Sequence, residues 1–228
     1  MSRPRGRGFL LTFEGIDKSG KSTQVELLRQ RLLARGLPVG YRGAPEATLR
    51  EPGGTPAGEA IRDLLLHRRH EITAWAEALL YAAARAQLVS TVVQPSLAEG
   101  FVVLLDRYVD SSLAYQGYAR GLGIERVFEL NSWATQGLLP DATFVLDVAP
   151  ALAERRPQEA PPDRIEREGA DLQERVAEGY RELARRFPER VHLVDGARPA
   201  DEIAAEIEAR ALTVLTAADV AGGEAHGV

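Results

Sequence analysis

Gly15-Ile16-Asp17-Lys18-Ser19-Gly20-Lys21-Ser22 decides how the chain is read. The stretch fits G-x-x-x-x-G-K-[ST], the phosphate-cradling P-loop. Its glycines let backbone N–H groups close around a phosphate, its lysine reaches the terminal phosphates, and its hydroxyl residue holds Mg²⁺. It also contains every lysine in the molecule. Lysine and arginine total 28, so removing Lys18 and Lys21 leaves 26 arginines. A compact ammonium on a flexible stem suits such a cradle, whereas a wide planar guanidinium does not.

The flanks have the required order. Phe9-Leu10-Leu11-Thr12-Phe13 is a short apolar, β-prone run that predicts a buried strand. From Lys21 onward, Val25, Leu28 and Leu32 recur at helical spacing, and Gly36 follows as a stop signal. A helix beginning at the loop adds partial positive charge where phosphates would lie. Further strands are predicted at Ala47–Arg50, Phe101–Leu105, Ala142–Leu146 and Val191–Val194. Helical stripes fall between them, most clearly Leu172, Val176, Tyr180, Leu183 and Phe187. Alternating strands and helices predict a parallel sheet flanked by helices, built as one domain over residues 1–228.

Two stretches interrupt the rhythm. Residues 36–47 form a Gly/Pro-rich connection of unassigned role. Residues 157–162, rich in proline, are excluded from helix interior because each proline removes a donor and clashes with the preceding turn. They read as a mobile loop. Residues 1–7 read as a basic, flexible N-terminus and 217–228 as a frayed tail.

Composition narrows the function. A net charge of −5 argues against a general nucleic-acid binder. The absence of cysteine removes disulfides, thiolate metal sites and thiol nucleophiles. No apolar run approaches the roughly 18 residues of a membrane span, and the apolar stretch after the basic N-terminus stops at Glu14, too short for a signal-peptide core. A cytoplasmic location is therefore expected.

Two companion signals accompany the P-loop. Asp106-Arg107-Tyr108 lies just past the third strand, and ligands in open parallel sheets bind beyond the carboxyl ends of strands. Asp106 can sit there near Mg²⁺ or an attacking oxygen, and Arg107 can fork onto a phosphate. Arg50-Glu51-Pro52-Gly53-Gly54-Thr55 ends the second strand. Its glycines suggest backbone conformations that other residues resist, and Arg50 supplies a second guanidinium.

Phe13 to Gln24, Arg50 to Thr55, Asp106 to Gly117 and Asp163-Arg164-Ile165-Glu166 occur in that order. Together they closely resemble bacterial thymidylate kinases. The resemblance implies a P-loop NTPase three-layer α/β sandwich, with a five-stranded parallel sheet and a short lid at 155–167. It implies ATP-dependent, Mg²⁺-requiring phosphorylation of dTMP to dTDP by a homodimer. Gly15, Ile16, Asp17, Lys18, Ser19, Gly20, Lys21, Ser22 and Thr23 would surround the ATP phosphates, with Arg156 over adenine. Arg107 and Arg50 would grip the acceptor phosphate, and Asp17 would face the deoxyribose 3′-hydroxyl. Tyr81 would stack on thymine, while Arg85, four residues on, would bond its carbonyl edge. Ser112 and Gln116 would add polar contacts near the base, and Tyr115 would crowd the sugar 2′ position. Ser22, Asp106 and Glu166 are the implied metal residues. Ala84 departs from the acidic or amide residue common just before this arginine.

Members of this family supply a transition-state cation either from the P-loop position of Lys18 or from the lid. Residues 157–162 carry no basic side chain, so Lys18 is expected to serve in cis, with Arg156 or Arg164 as the alternatives. The rival readings are another P-loop nucleoside or nucleoside-monophosphate kinase and a catalytically silent nucleotide-binding regulator. A GTP switch is disfavoured because the only asparagine is Asn131 and no Asn-Lys-x-Asp motif exists.

Overall fold

A computed structural model describes residues 7–67, 71–156 and 161–223, with side chains through residue 216. In chain order the elements are β1 (Phe9–Glu14), α1 (Lys21–Ala34), β2 (Gly40–Tyr41), β3 (Ala44–Pro45), β4 (Leu49–Arg50), α2 (Pro56–Arg62) and α3 (Ala74–Leu88). They continue with α4 (Gln94–Ala98), β5 (Val102–Asp106), α5 (Val109–Ser112), α6 (Ile124–Thr135), β6 (Ala142–Asp147), α7 (Pro150–Ala153), α8 (Ala170–Arg186), β7 (Val191–Asp195) and α9 (Ala200–Gly223). Wider helical turns extend α2 over Asp63–His67 and α5 over Leu113–Ala119.

Five strands form one parallel sheet in the order β4-β5-β1-β6-β7. Because successive side chains of a strand point to opposite faces, the continuous apolar runs feed two cores. Leu11, Phe13, Leu104, Phe144 and Leu146 pack on one face with α1 and α9. Leu10, Val103, Leu105 and Val145 pack on the other with residues of α3, α6 and α8. A strand covered on both faces needs no polar alternation, which explains these sequences. The expected three-layer sandwich is the observed one.

β1 lies at the centre, with β5 beside it, so the loops leaving their carboxyl ends adjoin. Those loops carry the P-loop and Asp106-Arg107. The 36–47 connection folds into a small antiparallel hairpin, β2–β3, which periodicity did not reveal. The tail differs from expectation in that α9 remains helical to Gly223. Residues 1–6 of the expected flexible N-terminus, 157–160 of the expected lid and 224–228 of the expected tail lie outside the described residues.

Candidate active site

β1 delivers the chain into the P-loop through Gly15, whose φ is 135°. A Cβ there would meet Leu146 O at 2.7 Å and Ser19 Oγ at 2.8 Å, so only glycine makes this turn. Lys18 follows with φ 59°, a left-handed conformation unusual outside glycine. Lys21 folds back over the loop and donates to Ile16 O at 2.8 Å. Burial, and then the neighbouring Arg107 charge, lower its pKa to about 8. Ser22 donates to Asp106 Oδ2 at 2.7 Å, which joins the start of α1 to the end of β5.

Arg107 is the centre of the arrangement. Its φ is 68°, held by its N–H donating to Phe13 O at 2.9 Å. Its side chain donates to Gly15 O at 3.1 Å, to Ser111 Oγ at 3.2 Å and to Asp17 Oδ1 at 2.5 Å. The Tyr115 ring lies 5.2 Å from the guanidinium carbon. Burial alone would push the Asp17 carboxyl up. Arg107 and then Lys21 outweigh that and hold it below the usual range. Gln173 of α8 also donates to Asp17 at 3.0 Å.

One cavity of about 280 Å³ is shared by both groups of residues. Asp17, Lys21, Ser22 and Asp106 line it together with Arg50, Arg107, Tyr81, Ser112, Tyr115 and Gln116. Glu166 lines it as well, together with Asp163 and Ile165. Arg50 stands at the rim and pairs with Glu59 at 3.3 Å. Gly53 and Gly54 do adopt left-handed backbone, with φ of 144° and 75°. Lys18 and the side of Asp17 facing α7 line a smaller neighbouring pocket, which Glu166 and Gln173 share.

Three expected residues sit differently from the expectation. Arg85 is drawn behind the cavity wall rather than into it. Its five N–H groups go to Glu51, Ser112 Oγ, Asn131 Oδ1 and the Tyr108 carbonyl, so it reaches the cavity only through its partners Ser112 and Glu51. Arg156 grips the P-loop from outside, donating to Lys18 O at 3.0 Å, Ser19 O at 2.6 Å and Gly196 O at 2.7 Å. Arg164 is held by Glu77 and by Leu65 O, away from the P-loop. Among the described residues, no partner takes the Lys18 ammonium.

Sequence reading missed several contributors. Arg62 lines the cavity beside Arg50, and burial followed by that like charge lowers its pKa. Glu14, sealed at the end of β1, accepts from Tyr108 N, Ser111 N, Ser111 Oγ and Tyr180 OH. A lone Glu after an apolar strand carries no periodic signal, and its partners lie 94 or more residues away. Among the described residues, no three carboxylate, imidazole or thiol groups gather into a metal-sized cluster. Ser22 and Asp106 meet, while Glu166 accepts from Asp163 N at 2.9 Å.

The arrangement pairs a phosphate cradle with a second cationic pocket that has an aromatic wall. That is the geometry for bringing two anionic ligands together. A sequence profile of the family described as Thymidylate kinase matches residues 13–207. The Thymidylate kinase of Thermoanaerobacter sp. (strain X514) is 47% identical over 190 residues, covering 83% of this chain and 90% of that protein. The Thymidylate kinase of Clavibacter michiganensis subsp. michiganensis (strain NCPPB 382) is 50% identical over 212 residues, with 92% and 97% covered. That of Leifsonia xyli subsp. xyli (strain CTCB07) is 49% identical over 213 residues, with 92% and 98% covered. With the site geometry and these relatives in agreement, the chain belongs to the thymidylate kinase family.

Proposed function

We propose that this chain transfers the γ-phosphoryl group of ATP to the phosphate of dTMP, giving dTDP and ADP. An oxygen of the acceptor phosphate attacks the γ-phosphorus as the bond to the β-phosphate oxygen breaks. The protein's task is positioning and charge stabilisation, since phosphoryl transfer needs little covalent help. Lys21 and the P-loop amides hold the donor phosphates. Arg107, with Arg50 at the rim, holds the acceptor phosphate. Asp17 and Tyr115 flank the sugar, and Tyr81 covers the base. Lys18, from the adjoining pocket, supplies the transition-state cation, because Arg156 and Arg164 are already committed to backbone carbonyls and Glu77.

Ser22 and Asp106 are oxygen donors suited to Mg²⁺, a hard cation that takes most of its other ligands from phosphate and water. Held there, Mg²⁺ would supply positive charge to offset that of the phosphates. Glu166 approaches the same cavity from the lid.

The observation that carries this reading is the single cavity shared by Lys21 and Arg107. A coupled ADP-release assay with dTMP, dUMP, dCMP, dGMP and AMP as separate acceptors tests it. Turnover should be highest with dTMP. ATP binding without turnover on any acceptor would favour the silent-regulator reading instead.

The proposal includes a homodimer in a cytoplasmic setting. Trp75 and Leu79 of α3 and Trp133 of α6 stay exposed on two helices that pack together, and Trp133 is 81% exposed. Apolar surface of this kind is a common site of self-association. Among the described residues, no helix is long and apolar enough to cross a membrane. Light scattering should give twice the 24.8 kDa chain mass. A monomer at micromolar concentration would remove the dimer from the proposal.

A further inference from the structure

Gln116 lines the acceptor part of the cavity, four residues after Ser112, and is itself only 2% exposed. Its Nε2 donates to Glu77 Oε1 at 2.8 Å. Glu77 is 1% exposed and accepts from donors alone. Arg120 donates to both of its oxygens, at 3.1 and 3.0 Å, and Arg164 donates to Oε2. Burial by itself would raise the Glu77 carboxyl, but the hydrogen bonds from Arg120, Arg164 and Gln116 outweigh it and hold the group below its ordinary range. An ionised carboxylate accepts and never donates. The shape of an amide does not distinguish its two ends, so its partners must. Here the partner is a saturated anion, and the NH₂ end of Gln116 must face it.

The other end then has a fixed direction. Among the described residues, the Gln116 amide oxygen accepts nothing, and it is not sealed in the interior. It is left to the cavity that Gln116 lines. Ser112 completes the wall. Its oxygen accepts from Arg85 Nη1 at 2.9 Å, which leaves its O–H free to donate. The wall therefore offers one obligate acceptor and one donor to whatever base lies against Tyr81.

We propose that Glu77 is a specificity-determining positioning residue, which locks the Gln116 amide so that its oxygen reads a ring N–H of the acceptor base. The inference rests on the nucleotide reading of this cavity given above. A lactam pyrimidine, thymine or uracil, presents a ring N–H beside a ring carbonyl and so matches the acceptor and donor of the wall. Cytosine presents the reverse, a bare ring nitrogen beside an amine. The Ser112 hydroxyl could adapt by accepting, but the locked Gln116 oxygen could not. A cytosine nitrogen would face it lone pair to lone pair. A site that leaves buried polar groups mismatched rejects the wrong ligand strongly.

The test compares kcat/KM for dTMP and for dCMP, with ATP as donor, in the full-length wild type, Gln116→Met and Glu77→Gln. Gln116→Met should lower kcat/KM for dTMP about tenfold, the worth of one good hydrogen bond, without lowering that for dCMP. Glu77→Gln offers either end of its own amide, so Gln116 is free to turn. The dTMP:dCMP ratio should fall by about tenfold or more, with KM for ATP unchanged. If Glu77→Gln loses its cooperative thermal melt, Glu77→Asp replaces it. That shorter carboxylate keeps its charge toward the two arginines but does not reach Gln116, and the same fall in ratio is expected. A merely structural Glu77 would lower both acceptors by the same factor, and an unchanged ratio in these variants overturns the proposal. A wild type that accepts neither monophosphate overturns the functional reading and this inference together, whereas an active wild type with invariant ratios overturns the Glu77 assignment alone.

Discussion

Glu14 gives the most searching stability test. Its carboxylate is fully buried beneath Arg107 and takes four donors from Tyr108, Ser111 and Tyr180. Burial, and then the Asp110 charge, raise its pKa from 4.5 to about 7, with Arg107 and the Ser111 and Tyr180 hydroxyls pulling the other way. The folded pKa lies above the unfolded one, so the native state binds this proton more tightly than the unfolded chain does. The stabilisation from that proton is complete below pH 4.5 and is lost as pH rises through 7. A difference of 2.5 between those two values, at 1.36 kcal/mol for each, amounts to about 3 kcal/mol. Glu14→Gln is close in shape and does not titrate. Urea unfolding of wild type and Glu14→Gln at several pH values from 5 to 8 isolates the effect, because titrations common to both proteins cancel in the difference. Any fixed cost of the new amide against Tyr180 cancels as well. Wild type should lose about 2 to 3 kcal/mol relative to the variant across that range, most of it between pH 5 and 7. A difference that stays flat within about 1 kcal/mol, or one that grows in the opposite direction, would refute the reasoning.

Other outcomes follow from the same geometry. Lys18→Ala should lower kcat about 100-fold or more while leaving the Kd for ATP nearly unchanged, as measured by steady-state kinetics and equilibrium binding. Near-normal turnover would move the catalytic cation elsewhere. ATP phosphates drawn around Lys21 should raise its pKa from about 8, so ATP binding at pH 8 should take up about half a proton. Calorimetry in buffers of different ionisation enthalpy reads that uptake, and its absence would contradict a partly neutral Lys21. Arg85→Ala leaves Glu51 buried without its partner and should cost about 3 to 5 kcal/mol in urea unfolding. A loss below about 1 kcal/mol would mean that water replaces the pair.

The strands and the P-loop were legible because their signals are local. Leu10 and Leu11 face opposite cores, which gives an unbroken apolar run, and the loop needs glycine at Gly15 for steric reasons that hold within a few residues. Arg107 was legible by position but not by conformation. Its left-handed backbone depends on a bond to Phe13, far back in the chain. Arg85 was legible only through family resemblance, and its enclosure was not. Helical spacing places it a turn beyond Tyr81 but says nothing of Glu51 and Asn131, which come from other elements. The same applies to Arg164, whose partner Glu77 lies 87 positions away. Periodicity reports which face is covered and is silent about which polar groups meet there.

The Arg156 guanidinium joins two P-loop carbonyls to Gly196, just beyond the far edge strand β7. A phosphate cradle depends on the shape of its loop, whose backbone N–H groups must point at the ligand. Here a side chain just beyond α7, tied also to the loop after β7, braces it from behind, so the curvature of the loop is set when the chain folds. Nucleotide then docks into a preorganised seat, and little of its binding energy goes into reshaping the host.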